Sequence, residues 1–229
     1  MKKKTFDLKK YLLPKGKTLV LKQVKPDNTA YGGFKWPDSE KVTCEKWVAE
    51  KECGNGLHGF NKGVGNASLA DYSEGNIWKV VEVSNNGLID LGGKVKFKSG
   101  YVIYSGDLKT AAQIIKTVFP NEAVIGCTAT AGYRGTATAG DSGTATAGDS
   151  GTATAGYRGT ATAGDRGTAT AGDSGTATAG DRGVLIITYY DNKKSSYKRK
   201  IALVGDNGIK PNVKYRLNDK AEFQEVKDI

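Results

Sequence analysis

The chain holds one histidine, His58, and three cysteines, Cys44, Cys53 and Cys127. Cys53 and His58 lie close together in Cys53-Gly54-Asn55-Gly56-Leu57-His58-Gly59-Phe60. A thiol beside an imidazole is the pairing of a nucleophile with its base, so Cys53 and His58 are the candidate catalytic pair. The same stretch also reads as a tight glycine turn, with Cys53 and Leu57 packed inside and His58 bonded to a backbone group. Cys44, Cys53 and His58 offer three metal ligands, but a structural zinc site wants four at tighter spacing, so no metal is assigned. A Gly-Leu-His loop near strand ends also suits an ADP-ribosyl-transferase-like pocket, yet no partner glutamate can be assigned. No phosphate-cradling glycine loop ends in Lys-Ser/Thr and no paired carboxylates stand out, so no cofactor is expected.

A second kind of chemistry is charge recognition. Lys193, Lys194, Lys198, Arg199 and Lys200 form a basic cluster around Tyr197. It suits a phosphate backbone, and it equally suits the solvated tip of a hairpin. Arg134, Arg158 and Arg182 are a third candidate, because each ends one of the repeats that dominate the middle of the chain.

Those repeats decide how any site is positioned. Residues 127–182 are seven octads of the form Gly-Thr-Ala-Thr-Ala-Gly-(Asp/Tyr)-(Ser/Arg), with Cys127 replacing the first glycine. A fixed short period means that each unit stacks on its neighbours. Thr-Ala-Thr-Ala alternates as a strand, so both threonines share one face and both alanines the other. Gly140, Asp141, Ser142 and Gly143 then read as a turn, with glycine supplying positive φ and Asp141 bonding nearby N–H groups. Strand, corner, strand, corner is a β-solenoid, expected with alanine inside and threonine outside. A two-octad coil is the first choice. A three-octad coil is the alternative, and it would align Arg134, Arg158 and Arg182 in one column.

Around the octads, residues 1–126 read as a small α+β domain. Thr18–Val24 and Ile77–Val83 are expected strands, and residues 94–97 and 101–104 a hairpin around Ser99-Gly100. Leu108 to Phe119 is the expected helix, with Leu108, Ala111, Ala112, Ile115 and Val118 on one side, Asp107 as N-cap and Pro120 as stop. Residues 183–229 read as a β cap over the end of the solenoid, where bare strand edges would otherwise invite association. The fold class is therefore mainly β, with boundaries at 1–126, 127–182 and 183–229.

The net charge of +10 is uneven. The octads carry four Arg and five Asp, whereas residues 1–126 carry a surplus of seven positive charges and residues 183–229 of four. Basic flanks favour nucleic acid, a nucleoprotein or another anionic surface. Three unpaired cysteines fit a reducing compartment. Lys2, Lys3 and Lys4 precede no apolar run before Pro14, so no signal peptide is read. No run approaches the roughly 20 apolar residues of a membrane span. A cytoplasmic place in a bacterial host cell, without membrane contact, is expected.

Gly-Gly-Phe-Lys-Trp-Pro (32–37), Cys-Gly-Asn-Gly-Leu-His (53–58), Ile-Trp-Lys-Val-Val-Glu-Val (77–83), the Gly/Thr/Ala repeats, and Ile209-Lys210-Pro211 with Tyr215-Arg216-Leu217 follow one another in order. As a set they resemble a family of bacteriophage and prophage proteins, over nearly the whole chain. The octads, taken in pairs, also resemble the sixteen-residue repeats of ice-nucleation proteins. The phage resemblance implies a mobile-element origin and no particular chemistry. Proteins of that origin are often virion parts or inhibitors of host defence, such as anti-CRISPR proteins. The expectation is a non-enzymatic protein whose basic ends bind a host protein or nucleoprotein complex, nucleic acid included. Its stacked coils leave room for a homo-oligomer. A virion or ice-binding-like surface is the alternative, and an enzyme at Cys53 and His58 ranks below both.

Overall fold

A computed structural model describes residues 11–226, in two compact units that divide between Val124 and Ile125. The first unit holds strands β1 (Lys17–Val24), β2 (Lys41–Thr43), β3 (Leu57–Asn61), β4 (Ile77–Ser84), β5 (Ile89–Asp90), β6 (Val95–Phe97) and β7 (Ser99–Gly106), then helix α1 (Leu108–Val118). The strands form one antiparallel sheet in the order β2-β7-β4-β1-β3-β6-β5.

β6 and β7 do not form the hairpin that their sequence suggests. Only Lys98 separates them, which leaves no room for a two-strand turn. β6 pairs with β3 and β5, and β7 with β4 and β2. In a flat sheet the two would lie about 19 Å apart, yet Phe97 and Ser99 are at most about 7.6 Å apart along the chain. The sheet therefore curls, and an apolar core that includes Val20, Trp36, Leu57, Val81, Val83, Phe97 and Val102 fills it.

α1 packs on β1, β4 and β7 through its buried residues Ala111, Ala112, Ile114 and Ile115. Asp107 caps it: its Oδ1 accepts the Thr110 N–H at 2.8 Å. Replacing Asp107 with alanine is expected to cost about 1 kcal/mol, read as a lower urea midpoint of the tryptophan-fluorescence transition. All three tryptophans, Trp36, Trp47 and Trp78, lie in this unit.

The second unit is the solenoid. β8 (Thr128–Ala131), β9 (Thr136–Thr138), β10 (Thr144–Ala147), β11 (Thr152–Ala155), β12 (Thr160–Ala163), β13 (Thr168–Ala171) and β14 (Thr176–Ala179) come from the seven octads, and β15 (Val184–Asp191) continues the series. β8, β10, β12 and β14 stack in parallel as one sheet; β9, β11, β13 and β15 stack as the other. Thr144 pairs with Thr128 and Thr160, so each coil is two octads, and the stack makes about four turns. The three-octad coil is excluded by this register.

Alanine faces inward and threonine outward. Ala145, Ala153, Ala161, Ala169 and Ala177 are fully buried. The interior is thus a column of methyl groups, each worth about 0.8 kcal/mol of burial. Backbone ladders, continued through the corners, carry much of the rest.

The corners differ from the sequence reading in where the positive φ falls. Positive φ falls not on glycine but on the eighth residue, from Arg134 (55°) and Ser142 (54°) to Arg182 (53°). Glycine is required for space instead. A Cβ on Gly143 would stand 2.7 Å from the Cys127 carbonyl oxygen, and one on Gly175 2.7 Å from that of Gly159. In both cases the obstacle is the coil below. Cys127 heads the first octad and has no octad sixteen residues before it, so it can carry a side chain, which is buried.

β16 (Ser196–Leu203) pairs antiparallel with β15 along its whole length. β17 (Tyr215–Leu217) and β18 (Phe223–Glu225) extend the other sheet beyond β14. Leu185, Ile187, Val204, Ile209 and Tyr215 are buried in this cap, where larger side chains replace the alanine column.

Candidate functional site

Cys53 and His58 do not share one environment. Cys53 is exposed, in the bends before β3. His58 is half-buried on β3 opposite Lys96, and its Nε2 is buried with no hydrogen-bond partner among the described residues. Burial, then the charges of Lys94, Lys22 and Lys96, push its pKa down to about 4. The ring is therefore neutral at pH 7 and a weak base. Leu57 is buried as expected, but Cys53 is not, and the backbone partner expected for His58 is missing at Nε2.

The residue that organises this stretch is Lys96, which the sequence reading passed over. It is 1% exposed, donates to the carbonyls of Glu50 (3.2 Å) and Glu52 (3.0 Å), and sits 5.5 Å from the Trp47 ring. Lys79 is a second buried lysine, held by Asp38 at 3.2 Å and Ser105 at 2.7 Å. A lysine in a β-rich run reads as solvent-facing, and only its partners far along the chain show otherwise. Cys44 packs half-buried against the core. Among the described residues no three His, Cys, Asp or Glu side chains group as metal ligands.

The corner arginines separate. Two-octad coils put Arg134, Arg166 and Arg182 along one edge and Arg158 on the opposite edge, so the column of Arg134, Arg158 and Arg182 is not formed. Arg166 was missed because it belongs only to the sixteen-residue spacing. Arg134 and Arg158 each lie 5.3 Å from the ring of the tyrosine before them, and Arg182 pairs with Asp181 at 3.4 Å. On the first edge Asp149 Oδ1 accepts the Asp165 N–H (3.1 Å), and Asp165 Oδ1 accepts that of Asp181 (2.8 Å). On the opposite edge Asp141 Oδ1 accepts the Tyr157 N–H at 2.8 Å. These aspartates stitch one coil to the next rather than closing their own turn.

The basic cluster lies on the β15–β16 hairpin. Asp191 opens its turn, accepting the N–H groups of Lys193 (3.0 Å) and Lys194 (3.3 Å), and it pairs with Lys198 at 2.7 Å. Arg199 and Lys200 are exposed and make no ion pair among the described residues.

Register sorts the hairpin into two faces. Val184, Ile186, Thr188 and Tyr190 stand beside Leu203, Ile201, Arg199 and Tyr197. Lys198, Lys200 and Ala202 share the other face with Tyr189, Ile187 and Leu185. The first face prolongs the outward threonine rows of its sheet, since Thr168 pairs with Val184 and Thr170 with Ile186. On it Ile201 is 64% exposed, Leu203 51% and Tyr197 68%. The Tyr190 and Tyr197 rings meet edge to face at 5.1 Å. On this face the exposed apolar row lies beside Arg199, which makes no ion pair among the described residues.

No helix among the described residues is long and apolar enough to cross a membrane. No curated protein and no solved structure matches the chain. Residues 18–115, which run from β1 into α1, match the family described as a domain of unknown function, DUF7666.

Proposed function

We propose that this is a non-enzymatic interaction protein of phage or prophage type, which binds a host macromolecule through basic surfaces carried beside a β-solenoid. The partner class is a host protein or nucleoprotein complex, and the effect is inhibition of host defence, in the manner of an anti-CRISPR protein. The observation that carries this reading is the β15–β16 hairpin, where Arg199 and Lys200 stand unpaired beside exposed Tyr197, Ile201 and Leu203. Unpaired Arg and Lys steer anionic partners, and exposed aromatic and aliphatic groups supply the buried part of an interface. The place of action is the cytoplasm of a bacterial host.

The test is affinity capture by the full chain from bacterial lysate, with and without nuclease. A specific partner, lost on joint Arg199→Ala and Lys200→Ala substitution, is expected. Capture of nothing specific in either lysate refutes the reading.

A second reading rests on a different observation. The coil register aligns threonines into straight ladders, such as Thr128, Thr144, Thr160 and Thr176, and Thr176 Oγ1 donates to Thr160 Oγ1 at 3.2 Å. Spacings of about 6.7 Å along a strand and 4.8 Å between coils make a regular hydroxyl grid, which suits a virion-surface or ice-binding role like that suggested by the ice-nucleation resemblance. Thermal hysteresis that is lost in Thr136→Lys and Thr152→Lys is the result this reading expects. Its absence in the unaltered chain removes the ice-binding role.

A further inference from the structure

We propose that the open edge of β16 accepts an additional strand from a partner protein, an extended segment with acidic residues opposite Lys198, Arg199 and Lys200 and apolar residues opposite Ile201 and Leu203. This rests on the interaction-protein reading and gives the partner's chemistry.

Among the described residues β16 is the last strand of its sheet and pairs only with β15. The Val204 N–H bonds the Gly183 carbonyl at 2.9 Å. Bonded and non-bonded pairs alternate along an antiparallel ladder. Ala202, Lys200 and Lys198 therefore turn their backbone groups towards β15. Leu203, Ile201, Arg199 and Tyr197 turn theirs away, towards the open edge. The Leu203 carbonyl is already taken by the Asp206 N–H at 3.2 Å, so three complete N–H and C=O sets, at Tyr197, Arg199 and Ile201, face outward with the Leu203 N–H at the spacing a further strand would need.

Edges are usually blunted by proline, by a bulge, or by being very short. The other sheet uses the last device, since it ends in three-residue β18. β16 uses neither of the first two: its eight residues hold no proline, and the register with β15 runs unbroken. What it has instead is charge, and the charge selects.

A second copy of this chain is disfavoured. Antiparallel pairing of two β16 edges about Arg199 would set Lys198, Arg199 and Lys200 against the same three residues, and like charges directly opposite destabilise a pair. An acidic strand meets the same three positions with attraction. Its apolar residues would cover Ile201 and Leu203, the exposed aliphatic side chains of the face that prolongs the threonine rows.

The test uses the full chain and a labelled peptide, Val-Thr-Val-Glu-Glu-Glu-Tyr-Thr, followed by fluorescence anisotropy. Saturable binding is expected, together with slowed hydrogen exchange at Tyr197, Arg199, Ile201 and Leu203. Ile201→Pro removes an outward N–H but no bond to β15, and it is expected to weaken the peptide at least about tenfold. Should that variant misfold, the peptide methylated at alternate backbone nitrogens makes the same test on the unaltered chain. Replacing the three glutamates by lysines is expected to abolish binding.

Failure of the acidic peptide to bind, or binding indifferent to backbone methylation, overturns the added strand. So does preferential binding of an oligothymidylate that is unaffected by Ile201→Pro, although the wider interaction reading then stands. That wider reading fails separately, if lysate capture yields no specific partner.

Discussion

Replacing Ala161 with aspartate is expected to unfold the solenoid. Ala161 is fully buried on β12, flanked in register by Ala145 and Ala177, which are equally buried. The column they form holds methyl groups and offers a carboxylate no hydrogen-bond donor. Burying an unpaired charge, or neutralising it to bury the acid, costs more than about 4 kcal/mol here. The strand cannot escape by slipping one residue, because that would turn its threonines inward and break the ladder on both sides. The measurement is a far-UV circular dichroism melt together with hydrogen exchange of the octad amides. Thr162→Asp, one residue along and facing outward, is the comparison and is expected to stay within about 1 kcal/mol of the parent. Equal tolerance of both substitutions would contradict the alanine-filled interior.

Acidification is expected to weaken the N-terminal unit through His58. Its folded-state pKa is near 4, lowered by burial and then by Lys94, Lys22 and Lys96, against 6.5 for a free imidazole. Between those values the unfolded chain binds a proton that the folded chain refuses, so stability is complete above pH 6.5 and falls as pH drops towards 4. The ring is only half-buried, so the loss is on the order of 1–2 kcal/mol once solvent screening is allowed for. Urea midpoints from tryptophan fluorescence at pH 7.5 and 4.5 measure it. His58→Phe should flatten the slope over that window, because carboxylates common to both proteins cancel in the difference. An unchanged slope would mean that the imidazole ionises freely in the folded state.

Much of the architecture is legible because it is local and repeated. Strict Thr-Ala alternation gives the inward and outward faces without any knowledge of tertiary structure, and Asp107 and Pro120 bracket α1 by capping chemistry alone. What was not legible depends on partners far along the chain. Lys79 and Lys96 look like surface lysines until Asp38, Ser105 and the carbonyls of Glu50 and Glu52 surround them. β6 and β7 look like a hairpin because pairing preferences do not reveal that the sheet curls. The corner glycines look like conformational switches, yet their role is set by the coil below, which a single octad cannot display. The cluster around Tyr197 was visible as composition, but its division into a charged face, an apolar face and an open edge needed the register with β15.

The paired-octad register also constrains how this chain can change length. β15 occupies the place of an eighth octad, with Val184 and Ile186 standing for threonine and Leu185 and Ile187 for alanine. Insertion or loss of sixteen residues adds or removes one whole layer and leaves every terminal strand on its own sheet. A change of eight would hand β15 and its hairpin to the sheet that now ends in β17 and β18, and would exchange the two corner edges with it. Tandem DNA repeats slip easily, so natural length variants of this tract should differ by even numbers of octads. Odd ones should survive only where the C-terminal segment has been rebuilt to match.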